Sequence, residues 1–199
     1  MRGYRVARGV RAWMGGGSLA ALCIAALFAG PVAGDPALTL DVAYADGRYR
    51  LRADIQIAAP AAAVRARLTD YANLTALNPA IRESRVESAP APYDARVTTL
   101  VRACVQRLFC RELKRVEDVR EEPRRLVAVI VPAGSDFSAG RTEWRLYPQP
   151  EGVRVSYRAE LTPDFLVPPV IGTALVKQGL ERELRRLLHN LERLARARA

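Results

Sequence analysis

The sequence predicts an α+β fold in which one antiparallel sheet packs against one long C-terminal helix, and three observations carry that expectation. Between 167 and 199, apolar residues Ile171, Ala174, Leu175, Leu180, Leu184, Leu187, Leu188, Leu191 and Leu194 recur at spacings of three and four, which places them on one helical stripe. Upstream, from 37 to 161, short apolar-polar alternations are separated by turn residues, the pattern of strands with one buried face. The order is strand, strand, two short helices, six strands and one helix, without repeats, so consecutive strands joined by short loops form a meander.

The first ribbon runs from Leu38 through Val42 and Tyr44 to a turn at Asp46-Gly47. It returns along Tyr49, Leu51, Ala53, Ile55 and Ile57, which alternate with Arg48, Arg50, Arg52, Asp54 and Gln56. Pro60 suits the first turn of a short helix over 61–71, with Val64 and Leu68 four apart. A second helical turn over 73–77 ends at Asn78-Pro79, because a residue before proline avoids the helical region. Strands are expected near 81–88, 95–105, 109–119, 125–132, 141–147 and 152–161, and the glycine-bounded segment 134–140 is expected to be a loop. Pro168 and Pro169 suit the entry to the long helix.

The 199 residues are half hydrophobic and about a quarter charged, a composition that supports one domain with a sizeable core. Residues 1–34 begin with Arg2, Arg5, Arg8 and Arg11, continue through an apolar run over 19–28 and end in Val32-Ala33-Gly34. That is the layout of an export signal, with cleavage expected after Gly34 and the periplasm as destination. The domain is then 35–199. Of the 31 basic residues the four arginines are lost with the signal, which leaves 27 against 21 acids, a net charge of about +6. Bases and acids alternate from Arg111 to Arg125 and no aromatic-basic stacking motif accompanies them, so nucleic acid is not an expected partner, while weak contact with an anionic membrane surface is compatible with the charge.

Two cysteines remain after signal removal. In a straight strand Cys104 and Cys110 would lie about 20 Å apart. If Val105 pairs with Phe109 around a three-residue loop they face each other, and the same register sets Arg102 against Glu112 and Val101 against Leu113. In an oxidising compartment a disulfide is expected. A redox or metal-binding pair would want a CxxC spacing or a neighbouring histidine, and neither is present.

Catalytic patterns are lacking. His189 is the single histidine, near the end of the long helix, where it reads as a solvated residue. Ser135 and Ser138 have no nucleophile-elbow context, no phosphate-cradling glycine loop occurs, and neither a metal nor another cofactor is expected. The disulfide register does place Val97, Thr99, Val101 and Ala103 on one face with Arg111, Leu113 and Arg115. If that face looks toward the helix, each arginine needs a carboxylate such as Glu117 or Glu143, or a pocket, because an unpaired buried charge is costly. Trp144 and Tyr157, from the last two strands, either wall such a pocket or are ordinary core.

The run Ile57-Ala58-Ala59-Pro60, Val64, Leu68-Thr69-Asp70-Tyr71 and Leu77-Asn78-Pro79-Ala80-Ile81-Arg82-Glu83-Ser84 resembles the opening of the polyketide cyclase and coenzyme Q-binding branch of the START-like (SRPBCC) superfamily. The proline-rich entry and amphipathic helix over 165–195 resemble its close. The resemblance covers 47–196 and implies a helix-grip fold, with a curved sheet around the C-terminal helix and a hydrophobic cavity between them. It implies a cavity mouth at Leu77, Asn78, Pro79, Phe165, Leu166 and Ile171, and walls from Val101, Leu113, Trp144 and Tyr157, with Leu175 following on the helix. Two features depart from the common pattern, the export signal and the strand over 38–44. The function expected is binding or carriage of a hydrophobic molecule such as a quinone, fatty acid, phospholipid or polyketide-like compound. The alternatives are a cyclase or dehydratase, or an envelope interaction module without a ligand.

Overall fold

The computed structural model describes residues 38–105, 109–165 and 172–197, all within the unit Gly34–Ala199. The export signal, the 106–108 loop, Leu166, Pro168, Pro169 and Ile171 lie outside the described residues. Eight strands form one sheet: β1 Thr39–Ala45, β2 Arg48–Ile57, β3 Ile81–Glu87, β4 Ala95–Val105, β5 Phe109–Glu122, β6 Arg125–Ile130, β7 Phe137–Gln149 and β8 Gly152–Pro163. Helix α1 covers Ala61–Leu68, a 3-10 helix covers Tyr71–Ala76, and α2 covers Gly172–Arg196.

The sheet order is β1-β2-β8-β7-β6-β5-β4-β3, and every pair is antiparallel. From β3 to β8 the chain is the expected meander. The step that departs from sequence order is β2 beside β8, so α1 and the 3-10 helix carry the chain from β2 to the far edge. Asp46 and Gly47 both have positive φ, 52° and 74°, as a two-residue hairpin turn matched to strand twist requires.

Helix α2 packs on α1, on β1 and on β4. Those strands stand toward opposite ends of the sheet order, so the sheet curls and the helix lies across its open side in the helix-grip arrangement. The inner face carries Leu51, Ala53, Ile55 and Ile57 of β2, Val153, Val155, Tyr157 and Ala159 of β8, and Leu126 and Leu146, all in the main core with Leu184, Leu188 and Leu191 of α2. The outer face is a lattice of charge pairs, among them Arg154–Asp54 at 3.1 Å and Arg96–Asp118 at 2.7 Å.

Three boundaries differ from expectation by three residues or more. The helix expected over 61–71 stops at Leu68, where the Thr69 hydroxyl and N–H both donate to the Arg65 carbonyl, and the chain resumes as a 3-10 turn. Strand β5 continues to Glu122. Segment 134–140 is not all loop, because β7 begins at Phe137 and pairs with Pro163 and Thr162 through a register irregularity. Gly140 is a strand residue: a Cβ there would stand 2.7 Å from Ile130 Cγ1, so it marks close approach and not a turn.

Candidate functional site

The two ends of α2 meet the sheet differently. Toward its C-terminus Leu188, Leu191 and Ala195 are fully buried, in one core with Ile57, Val64, Val153 and Val155. Toward its N-terminus Leu175, Val176 and Leu180 are only partly buried. On the sheet, Val101, Leu113 and Trp144 of the inner face are likewise half-buried. The apolar lining therefore continues to the N-terminal end of α2 without being closed there. Here α2 passes beside β4, where a Cβ on Gly179 would sit 3.7 Å from the Cys104 carbonyl.

Polar groups are set into this inner face. Arg115 pairs with Glu117 two residues on, at 2.9 Å, and their side chains are 28% and 6% exposed. The register puts Thr99 opposite Arg115 on β4 and Trp144 opposite Tyr157, with the two rings 4.4 Å apart. Burial pushes the Tyr157 hydroxyl up to about 12, with the Glu117 carboxylate adding to the shift and the Arg115 guanidinium opposing it. The phenol therefore stays protonated at neutral pH and acts as a hydrogen-bond donor.

Among the described residues Thr99 Oγ1, Arg115 Nε and Glu117 Oε1 of this face are buried without a hydrogen bond, as is the Tyr49 hydroxyl on β2, while the Thr142 hydroxyl meets that of Tyr157. Leaving a buried polar atom unpaired costs about 1–3 kcal/mol. Together with the Tyr157 hydroxyl they supply donors and acceptors suited to the carbonyl or hydroxyl of an otherwise apolar molecule. Among the described residues no group of His, Cys, Asp and Glu could hold a metal ion.

The shared face does look toward the helix at Arg115, and Glu117 is its partner. Glu143 is not: it lies on the outer face, where it binds Arg125 at 3.0 Å and contacts Arg145. Arg111 shares the parity of Arg115 but sits at the start of β5. Its side chain is 56% exposed, 3.9 Å from Asp136, and it lies over the Phe165 ring at 4.5 Å. The expectation that it points inward is corrected, since parity sets the face of a strand and not the depth along it. Phe165 meets Phe137 edge-on at 6.1 Å.

The expected mouth residues divide. Leu77 is buried in the core. Asn78 Nδ2 donates to the Glu183 carbonyl of α2 at 3.2 Å, Asn78 Oδ1 accepts from the Ala80 N–H, and Asn190 of α2 donates to the Leu77 carbonyl at 3.0 Å. Leu77 and Asn78 thus clamp the 3-10 segment to α2, and Pro79 lies in a separate groove on the outside. Leu166 and Ile171 lie outside the described residues. Cys104 and Cys110 form the expected disulfide, in the expected register. Thr99, Glu117 and Thr142 belong to the site although sequence reasoning did not single them out as ligand-facing. The signal for Thr142 was its two-residue spacing from Trp144 on one strand.

An eight-stranded curved sheet closed by a C-terminal helix, with polar groups set in its concave face, defines a START-like helix-grip domain. The family model for polyketide cyclase / dehydrase and lipid transport matches residues 48–196, and the chain belongs to that family. No curated protein matches the chain in sequence. Among solved structures it is similar to a START superfamily protein from Mycobacterium smegmatis, with TM-score 0.58 and 15% identity over 75% of this chain and 99% of that one. A STAR-related lipid transfer protein fragment from Xanthomonas axonopodis gives 0.57 and 16% over 79% and 98%. The Zhui aromatase/cyclase from Streptomyces sp. R1128 gives 0.55 and 14% over 76% and 95%. At these identities the likeness is one of fold.

Proposed function

We propose that the protein is an exported carrier that holds an apolar small molecule or lipid between the sheet and the N-terminal half of α2. The observation that carries this reading is the set of unpartnered polar atoms of Thr99, Arg115 and Glu117 within an otherwise apolar face. The ligand's apolar body lies along Val101, Leu113, Trp144, Leu175 and Leu180, and its one polar group meets Arg115 and Tyr157. Quinones, fatty acids, phospholipids and polyketide-like compounds all have that division. The leader over 1–34 supports delivery to the periplasm, and N-terminal sequencing of the mature protein should begin at Asp35.

A cyclase or dehydratase is the second reading. It is favoured by Tyr157, whose protonated hydroxyl beside Arg115 could polarise a substrate carbonyl. Native mass spectrometry of protein purified from the periplasm, followed by organic extraction, tests the first reading. An apolar molecule at near one per chain supports it, and a protein that arrives empty and takes up no quinone, fatty acid or phospholipid sinks it. Arg115→Met separates the two readings, since a carrier loses affinity whereas an enzyme loses turnover and still binds.

A further inference from the structure

On the solvent side of α2, Arg182, Arg185, Arg186, His189 and Arg193 follow the spacing of one helix face. Arg182 and Arg186 also border a groove of about 600 Å³ between α2 and the β3–β4 edge, where Arg82 and Arg102 complete the basic lining. An adjoining hollow of about 500 Å³ shares Arg182 and Arg186 and extends along the helix past Arg185 and Arg193. Glu183 is the acid in this lining, and it is engaged by Arg186 at 3.3 Å. Arg82, Arg102, Arg182 and Arg185 make no ion pair among the described residues. On the sheet's outer face, in contrast, Arg96, Arg125 and Arg154 each hold a carboxylate.

Six guanidiniums against one engaged carboxylate leave a concentrated positive surface, and planar guanidinium groups suit phosphate oxygens. From Arg182 to Arg193 the stripe runs about 16 Å along the helix, longer than a single phosphate spans and continuous with the groove. The large hydrophobics exposed among the described residues are Tyr44 and Val86, neither of which borders these hollows, so the stacking platform of a single-strand nucleic-acid site is missing there. We propose that this arginine surface docks the protein on a bilayer containing anionic phospholipid. The inference rests on the carrier reading to the extent that apolar cargo must be exchanged with a lipid phase.

The test is co-sedimentation of the full mature protein with vesicles of phosphatidylcholine alone or with about 30% phosphatidylglycerol. Binding should require the anionic lipid and fall away at about 0.5 M salt. Arg102→Gln combined with Arg182→Gln, both exposed and unpaired, should lower partitioning at least about tenfold. Arg52→Gln with Arg158→Gln, which face each other on the outer sheet, removes the same charge and should leave it unchanged. Equal binding to neutral vesicles, an equal loss in the control pair, or release by millimolar inorganic phosphate at constant ionic strength overturns the proposal, the last by assigning the groove to a free anion. Cargo is scored separately by extraction of vesicle-free protein. Docking without cargo sinks the carrier reading alone, and cargo without docking sinks this one alone.

Discussion

The C-terminal half of α2 rests on a dry, close-packed surface, whereas its N-terminal half faces a stretch of sheet into which Thr99, Arg115, Glu117, Thr142 and Tyr157 have been set. At the first end Leu184, Leu188, Leu191 and Ala195 are closed off and the one buried acid, Glu192, is paired with Arg196, so burial translates into stability. At the second, apolar side chains stay partly open and polar atoms lack partners, so less of the burial there translates into stability. The inward side of one helix is thus fully buried along one half and only half-buried along the other.

The strongest way to break this contrast is to truncate each half. Leu188→Ala should destabilise by about 2–5 kcal/mol in urea unfolding, and Leu180→Ala by less than half as much. Equal losses would mean that both ends are equally packed. Next in size, Arg115→Met leaves the buried Glu117 carboxylate unpaired and should cost up to about 3 kcal/mol. Adding Glu117→Leu should recover most of that stability without recovering ligand. A double variant that still co-purifies the same molecule at the same ratio would remove the polar cluster from the binding reading.

Smaller effects sharpen the comparison. Cys104→Ser with Cys110→Ser opens the hairpin beside which α2 passes at Gly179, and the chain-entropy model puts the loss at about 2 kcal/mol. Ligand retention should fall further than that figure alone implies if the hairpin supports the open end, and loss of stability with unchanged retention would confine it to a structural role. The smallest effect expected is on the outer face. Glu143 is held at about 2, below its ordinary 4.5, chiefly by its hydrogen bond from Arg125. The folded carboxyl is thus the stronger acid. Its contribution is present above about 4.5 and is lost as pH falls through about 2. Glu143→Gln should flatten the acid limb of a stability-against-pH curve in that window while leaving ligand retention at neutral pH unchanged.

Where a feature depends on neighbours in sequence, it was legible. The disulfide register followed from a six-residue separation and a short loop, and it carried with it the place of Arg115 opposite Thr99, while which way that shared face looks was left to the fold. Gly140 misled because the same residue serves a turn or a close approach, and only the position of Ile130, ten residues away on the next strand, distinguishes them. Arg111 misled because alternation reports a face, whereas its exposure is decided by where the strand starts and by Asp136 and Phe165.

The sequence by itself determined the α+β class, the meander, the amphipathic long helix and the hairpin pairing, because each is written in periodicities and turn residues within one or two elements. Tertiary structure alone decided that Asn78 clamps α2 across 105 residues of sequence, that Glu117 and not Glu143 answers Arg115, and that unpaired arginines of β3, β4 and α2 gather on one surface. Those depend on the curl of the sheet around the helix. The curl brings distant segments within hydrogen-bond reach, and no local pattern records it.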